Sequence, residues 1–120
     1  MRHFIRQYIA SLEELEILLL LHQEPDRAWT AEQVFKITQS NIVSVAERLK
    51  ELAAEGFLAA EEGFGGAFRF RPKSPELVER TEELERVYKL SKYKVVEAIF
   101  STSKGQAQKF ADSFKIKGDK

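Results

Sequence analysis

The sequence predicts a mainly α-helical fold that contains one small two-stranded β-sheet. Three observations lead to this fold class. Apolar residues recur at helical spacing through most of the chain, as at Val45, Leu49 and Leu52. Serine, threonine and glycine residues stand where such helices should begin and end. One segment, residues 57–71, instead holds a glycine-rich tip followed by alternating phenylalanines and arginines at residues 68–71, which is typical of a hairpin.

The chain begins with a short apolar segment and a long buried helix. Residues 1–10 carry apolar side chains at helical spacing and predict an N-terminal arm or helix that packs against a partner surface. Ser11 opens a capping box with Glu14, in which the hydroxyl and the carboxylate satisfy backbone N–H groups at the helix start. We therefore expect a helix over residues 12–22, and its many leucines predict deep burial.

Two further helices follow after a connection that contains a proline. Thr30 and Gln33 fit a second capping box, which predicts a short helix over residues 31–38. The stretch SNIVSVAERLKELAAEGFL then places its apolar residues on one side of a helix over residues 42–53. Gly56 can take the left-handed conformation that commonly ends a helix.

The hairpin and the C-terminal region complete the predicted order of elements. Residues 57–62 and 67–71 read as two strands, and Pro72 ends the second strand because it has no N–H to donate. Ser74 and the proline after it start a helix that we expect to run over residues 75–101. Ser103 would cap a last short helix.

This order of three helices, a two-stranded wing and a long helix is that of a winged helix-turn-helix. The segment VAERLKELAAEGFL resembles the end of the recognition helix in bacterial winged-helix regulators, and GFGGAFRFRP is similar to the wings of the MarR-like and Rrf2-like groups. The resemblance covers residues 11–73, between an N-terminal arm over residues 1–10 and a dimerisation region over residues 74–120. It implies a DNA-binding transcriptional regulator. Iron–sulfur sensing of the Rrf2-like kind is not implied, because the chain has no cysteine.

The winged-helix template also implies a set of contacts with double-stranded DNA. The outward face of the helix over residues 42–53 would enter the major groove, with its first turn nearest the base edges. Arg48 and Lys50 at its flanks could reach phosphates, and the wing supplies a basic cluster. The candidate DNA-binding residues are Ser40, Asn41, Val43, Ser44, Arg48, Lys50, Phe64, Arg69, Arg71 and Lys73.

The charge distribution supports an alternative without DNA. At 100° per residue, Glu47 and Glu51 lie almost opposite the buried Leu49, and carboxylates facing a phosphate-lined groove cost binding free energy. Residues 11–75 hold 7 basic against 11 acidic residues, so counterion release should be modest. The alternative function is a winged-helix protein-interaction module that binds a basic protein partner through the Glu47 and Glu51 face.

The long predicted helix carries the prediction of a homodimer. Its apolar residues outnumber what one compact winged unit could cover, so a second copy should bury them in an antiparallel or crossed dimer. Two recognition helices would then match a palindromic DNA site. The alternative is an intramolecular hairpin, in which the terminal helix and the N-terminal arm pack back onto the long helix. The candidate dimerisation residues are Leu84, Val87, Tyr88, Val95, Val96, Ile99, Phe100, Phe110 and Phe114.

Several other functional classes find no support in the sequence. The absence of cysteine excludes disulfides and thiolate metal sites, and we expect no metal and no cofactor. His3 and His22 lack a carboxylate at metal-ligand spacing and should have structural roles. Residues 61 and 62 are adjacent glutamates that point to opposite strand faces, so they cannot share a proton, and we expect no enzyme. The longest apolar run, residues 17–21, is far too short to span a bilayer, which favours a cytoplasmic protein.

Aromatic residues mark one further predicted contact. Trp29, Phe35 and Phe57 should line the junction between the helices and the wing, because aromatic side chains bury large areas at such positions. Phe64 lies between glycines at the wing tip, where an exposed phenylalanine is costly unless it touches something. A groove wall, a partner, the second subunit or the wing itself would each provide that contact.

Overall fold

The computed structural model describes residues 2–61 and 66–100. Within them the chain is mainly helical, with one antiparallel two-stranded sheet, as the sequence predicts. The elements in order are α1 (Arg2–Tyr8), α2 (Leu12–Gln23), α3 (Ala31–Thr38), α4 (Ile42–Ala54), β1 (Leu58–Glu61), β2 (Ala67–Phe70), α5 (Pro75–Leu90) and α6 (Lys92–Phe100). None of the helices in this part of the chain combines the length and the apolar character needed to cross a membrane.

The predicted helix starts are confirmed at the level of individual hydrogen bonds. The hydroxyls of Ser11, Thr30 and Ser74 each accept from the backbone N–H three residues ahead, at 3.1, 3.2 and 3.3 Å. Gln33 returns the bond to the N–H of Thr30 and completes the capping box of α3. For α4, Asn41 is the cap, and its side-chain oxygen accepts from two backbone N–H groups. Each cap contributes about 1 kcal/mol to helix stability.

A third backbone segment extends the β-hairpin. Strands β1 and β2 pair in the register Leu58 with Phe70 through Glu61 with Ala67. On the other edge of β2, the N–H and C=O of Trp29 each bond to the backbone of Phe68 at 2.7 Å. Trp29 is itself buried. These bonds attach the connection between α2 and α3 to the hairpin and so orient the hairpin relative to the helices.

Gly56 ends α4 in the left-handed conformation, with φ of +94°, as predicted. Its carbonyl accepts from the N–H of Lys73 at 2.8 Å, which joins the two ends of the hairpin segment. A Cβ at this position would stand 2.5 Å from Cδ of Lys73. Both the positive φ and the close approach of the Lys73 side chain explain the glycine.

The core is built around α2 and closed by α1. Leu15, Leu18 and Leu21 of α2 are completely buried, and α2 packs mainly against α4. The rings of Phe4 and Tyr8 on α1 meet the edge of Phe57 at centroid distances of 5.9 and 5.5 Å. Residues 2–8 therefore belong to the same core as the rest of the chain.

The prediction of one continuous helix over residues 75–101 is wrong. Helix α5 ends at Leu90, Ser91 departs from helical geometry with φ of −151° and ψ of 68°, and α6 begins at Lys92. The carbonyl of Ser91 accepts from the N–H of Lys94 at 3.1 Å, which starts the new helix. The break turns α6 onto α1 and α5. Burying apolar side chains there contributes about 1.5–3 kcal/mol each, which exceeds the net value of the hydrogen bonds lost at the break.

This packing also corrects the predicted dimer interface. Leu84, Val95 and Ile99 are almost completely buried within the single chain, so a second copy is not what covers them. Helix α1 contacts α6, as the alternative of an intramolecular hairpin expects of the N-terminal arm, and the terminal helix of that alternative lies outside the described residues. Of the other candidates, Val87, Tyr88 and Val96 are half-buried, Phe100 is exposed, and Phe110 and Phe114 lie outside the described residues.

Candidate nucleic-acid interface

The first turn of α4 presents aliphatic side chains to solvent. Gln39 takes the left-handed conformation, with φ of 56°, and turns the chain from α3 into α4. Asn41 uses its side-chain oxygen to cap α4, which leaves its amide N–H donors available. Ile42 and Val43 follow, and 63% of Val43 is exposed. The turn predicted to approach base edges is therefore more apolar than the sequence analysis implied.

The carboxylate of Glu13, on α2, accepts hydrogen bonds from both serines near the start of α4. Ser40 Oγ donates to Glu13 Oε2 at 2.5 Å, and Ser44 Oγ donates to the other oxygen of the same carboxylate. Glu13 lies in the first turn of α2, which packs directly against α4. Both predicted hydrogen-bonding residues are thus already satisfied within the chain.

Arg48 is held by three carboxylates. Its Nε and Nη2 atoms donate to Glu51 at 3.0 and 2.9 Å, Nη2 lies 3.4 Å from Glu47, and Nη1 lies 3.7 Å from Glu13. The hydrogen bond to Glu51 raises the pKa of Arg48 above its ordinary value. Only 19% of the Arg48 side chain is exposed. We refer to Glu13, Ser40, Ser44, Glu47, Arg48 and Glu51 together as the Glu13 network.

Lys50 lies on the opposite flank of α4, beside the hairpin. It is exposed and lines an open groove together with Ala46, the start of α3 at residues 30–32, and Gly66 and Phe68 of the hairpin. No ion pair joins Lys50 to another residue of the described part of the chain. Its charge therefore remains available to a ligand in this groove.

The basic residues predicted to form one wing cluster are divided. Arg69 Nε pairs with Glu61 Oε1 at 2.9 Å across the hairpin. Arg71 is exposed. Lys73 is also exposed, but its side chain passes Gly56 and lines a different pocket, together with Tyr8, Ser74 and Arg80. Phe64 falls outside the described residues.

Sequence reasoning missed Glu13, although it identified the residues that Glu13 binds. The sequence analysis treated the S-L-E-E segment only as a capping signal for α2. Glu13 is 27 residues from Ser40 and 31 residues from Ser44 along the chain, so no local spacing connects them. A search for a carboxylate on the helix packed against α4 is the one signal that could have found it.

The three aromatic residues predicted to pack inside the molecule do so to different degrees. Trp29 and Phe57 are buried and Phe35 is partly buried, and Trp29 bonds to the hairpin through the backbone of Phe68. His22 Nδ1 lies 3.2 Å from Glu85, and the imidazole meets the ring of Phe70 edge-on at a centroid distance of 5.0 Å. This is a packing contact between α2, α5 and β2, as expected for a structural histidine.

Exposed aliphatic side chains adjoin the Glu13 network in the first turn of α4. Ile42 and Val43 are 42% and 63% exposed there, whereas the exposed Ile37 lines a different groove, together with Leu20 and Tyr88. Glu47 and Glu51 on α4 have side-chain exposures of 61% and 48%. Aliphatic side chains rimmed by charge are typical of a surface that binds another molecule.

Comparison with known proteins does not add a family to this description. No family model matches the chain, and no curated protein matches it. The fold and the chemistry of the surface therefore carry the functional argument.

Proposed function

We propose that the chain is a DNA-binding transcriptional regulator of the winged helix-turn-helix type that acts as a homodimer, related to the MarR-like and Rrf2-like groups. The observation that carries the proposal is the open groove between α4, the start of α3 and the hairpin. Lys50 stands on one side of that groove and Gly66 on the other. In the winged-helix arrangement the hairpin stands beside the docking helix, where it can follow the adjacent DNA backbone, and α4 and β1 are in contact here.

Of the ten candidate DNA-binding residues, only some have side chains that are available to contact DNA. Lys50, Arg71 and Lys73 would pair with phosphates, since none of them has an ion pair within the described residues. Asn41 and Val43 would reach base edges, through an amide N–H and through apolar contact with a thymine methyl group. Ser40, Ser44 and Arg48 contribute only if DNA displaces the carboxylates of the Glu13 network.

A second candidate function is a module that binds a basic protein partner. The observation that favours it is the pair of exposed aliphatic side chains, Ile42 and Val43, on the same helix as the exposed Glu47 and Glu51. An aliphatic surface with an acidic border suits an amphipathic basic helix better than it suits DNA. The two functions use overlapping parts of α4 and differ in the charge of the partner.

Fluorescence anisotropy with pooled fragments of the upstream DNA, at low and near-physiological salt, tests the first proposal. We expect saturable binding by the wild-type chain. The groove variant Lys50→Glu should bind about tenfold more weakly, because one phosphate contact becomes repulsive. Arg86→Glu makes the same kind of charge change on α5, outside the groove, and should stay within about threefold of wild type.

Two outcomes would contradict DNA binding as the function. One is the absence of saturable binding even at the lowest salt. The other is an equal loss for Arg86→Glu and for the groove variant, which would indicate only non-specific attraction by net charge. In either case the protein-interaction function becomes the better explanation, and Val43→Lys should then weaken capture of a basic partner peptide.

A further inference from the structure

Helix α6 is apolar on two opposite faces. Val95, Ala98 and Ile99 are buried in the core. At 100° per residue, Tyr93, Val96 and Phe100 lie on the other side of the helix. Tyr93 is 78% exposed and Phe100 is 51% exposed. A helix that is apolar around most of its circumference is normally buried on all sides, but no residue within 2–61 and 66–100 buries Tyr93 or Phe100.

The break after α5 adds a further apolar side chain to this face. Leu90, the last residue of α5, is 81% exposed beside the start of α6. We call Leu90, Tyr93, Val96 and Phe100 the outer α6 face. Tyr93 and Phe100 are exposed on the same side of α6, with the half-buried Val96 next to them, and a soluble monomer does not usually present large apolar side chains together.

We propose that the outer α6 face binds the same face of a second copy of this chain, with the two α6 helices antiparallel. The inference rests on the homodimer of the proposed function; it keeps Val96 and Phe100 of the interface expected from the sequence and replaces its buried residues with Leu90 and Tyr93. It concerns contact between two copies only. The test of this dimer needs no DNA. The dimer proposal can therefore fail while DNA binding is confirmed, and DNA binding can fail while the dimer is confirmed.

The charges of α6 favour a second copy in this orientation. Lys92 and Lys94 stand in the first turn, and Glu97 stands toward the end; the helix has no acidic residue in its first turn and no basic residue in its last turn. These positions oppose the dipole of α6 itself. In an antiparallel pair, the lysines of one copy lie near Glu97 and the carboxyl end of its partner. The charges that interact unfavourably with the dipole of their own helix then interact favourably with the dipole of the other helix. A parallel pair would place like charges together.

The area of the outer α6 face indicates a weak dimer. Its two aromatic and two aliphatic side chains, at their observed exposures, offer about 400 Å². A standard stable interface buries about 800 Å² on each partner. The face therefore supplies about half of such an interface. We expect a monomer–dimer equilibrium that depends on concentration across the micromolar range.

Sedimentation equilibrium of the full chain, from about 1 to about 300 µM, tests the proposal through mass action. The informative variants are Glu97→Lys and Lys94→Glu. Each one alone places like charges across the antiparallel pair and should remain monomeric. An equimolar mixture places lysines against glutamates and should form a heterodimer about tenfold tighter than either variant forms with itself.

A matched control uses the exposed Glu32 and Lys36 pair on α3, whose atoms lie 3.9 Å apart. Glu32→Lys and Lys36→Glu make the same charge changes away from α6, and their mixture should gain nothing over its components. A mixture of the α6 variants that stays monomeric would overturn the proposal. So would a wild-type chain that is monomeric at every concentration.

Discussion

Among single residues, Glu13 has the largest effect on the candidate interface. One carboxylate accepts from Ser40 and Ser44 and lies 3.7 Å from the guanidinium of Arg48. The raised pKa of Arg48 means that this guanidinium is charged wherever the protein folds. A raised pKa of this kind adds stability below the unfolded value, which is lost only as pH rises through the folded value, far above neutrality. The Glu13 network is therefore insensitive to deprotonation of Arg48 at ordinary pH.

Glu13→Gln should lower stability and raise DNA affinity. The amide keeps one acceptor for the serines but turns N–H donors toward Arg48, so the free energy of unfolding should fall by about 1–2 kcal/mol. Loss of a carboxylate near the phosphates and release of the serines should strengthen DNA binding by about fivefold. Urea denaturation and anisotropy at fixed salt measure the two effects.

The control for this variant is Glu16→Gln, which removes the same charge one turn further along α2. Glu16 accepts only from the Tyr88 hydroxyl, at 3.4 Å. If Glu13→Gln and Glu16→Gln are equally stable and bind DNA equally well, the effect is one of net charge, and the assigned role of Glu13 is wrong.

Among elements, the division between α5 and α6 shows that tertiary packing can override a helical pattern. Most residues from Pro75 to Phe100 have side chains that a continuous helix accommodates, and Ser91 is one of the few that favour it less. The chain instead bends where α6 can bury Val95 and Ile99. A straight helix would leave those side chains in water until a second copy arrived, whereas the bend buries them within one chain.

Ile99→Ala should therefore destabilise the monomer itself. Removing a buried isoleucine side chain costs about 2–4 kcal/mol through lost burial and the cavity that remains. Tyr93→Ala, on the opposite face of the same helix, should cost less than about 0.5 kcal/mol at low micromolar concentration. Thermal and urea unfolding at two protein concentrations would measure this. A loss for Ile99→Ala that appears only at the higher concentration would place Ile99 in a dimer interface after all.

For the whole molecule, the placement of charges limits the proposed DNA binding. The chain has as many basic as acidic residues. Carboxylates hold Arg48 and Arg69, whereas Lys50, Arg71 and Lys73 have no ion pair within residues 2–61 and 66–100. Three phosphate contacts per protomer are few for a sequence-specific reader, which places more of the specificity on Asn41 and Val43.

The salt dependence of DNA binding should give the number of phosphate contacts per protomer directly. Three released counterions predict a slope of about −3 per protomer for the logarithm of the association constant against the logarithm of salt concentration. All five basic candidates together would predict about −4.5. Anisotropy titrations at several salt concentrations measure the slope. A value near −4.5 would mean that Arg48 and Arg69 leave their carboxylates when DNA binds.

The candidate site was predictable in part. The sequence identified α4 as an exposed amphipathic helix and located Lys50 on its flank, because both follow from the 3.6-residue period. It did not reveal that Ser40, Ser44 and Arg48 are occupied. Their partner Glu13 comes from a helix about thirty residues earlier, and only the packing of α2 against α4 brings the carboxylate there.

By itself, the sequence determined the helix caps, the hairpin, the turn at Gly56 and the apolar side of each helix. These features depend on contacts between residues a few positions apart, which the order of amino acids specifies locally. Only the tertiary structure decided where the C-terminal region bends, which arginines remain available and which face of α6 is left exposed. Each of these depends on segments far apart in the chain, because burial and ion pairing act between whatever side chains the fold brings together.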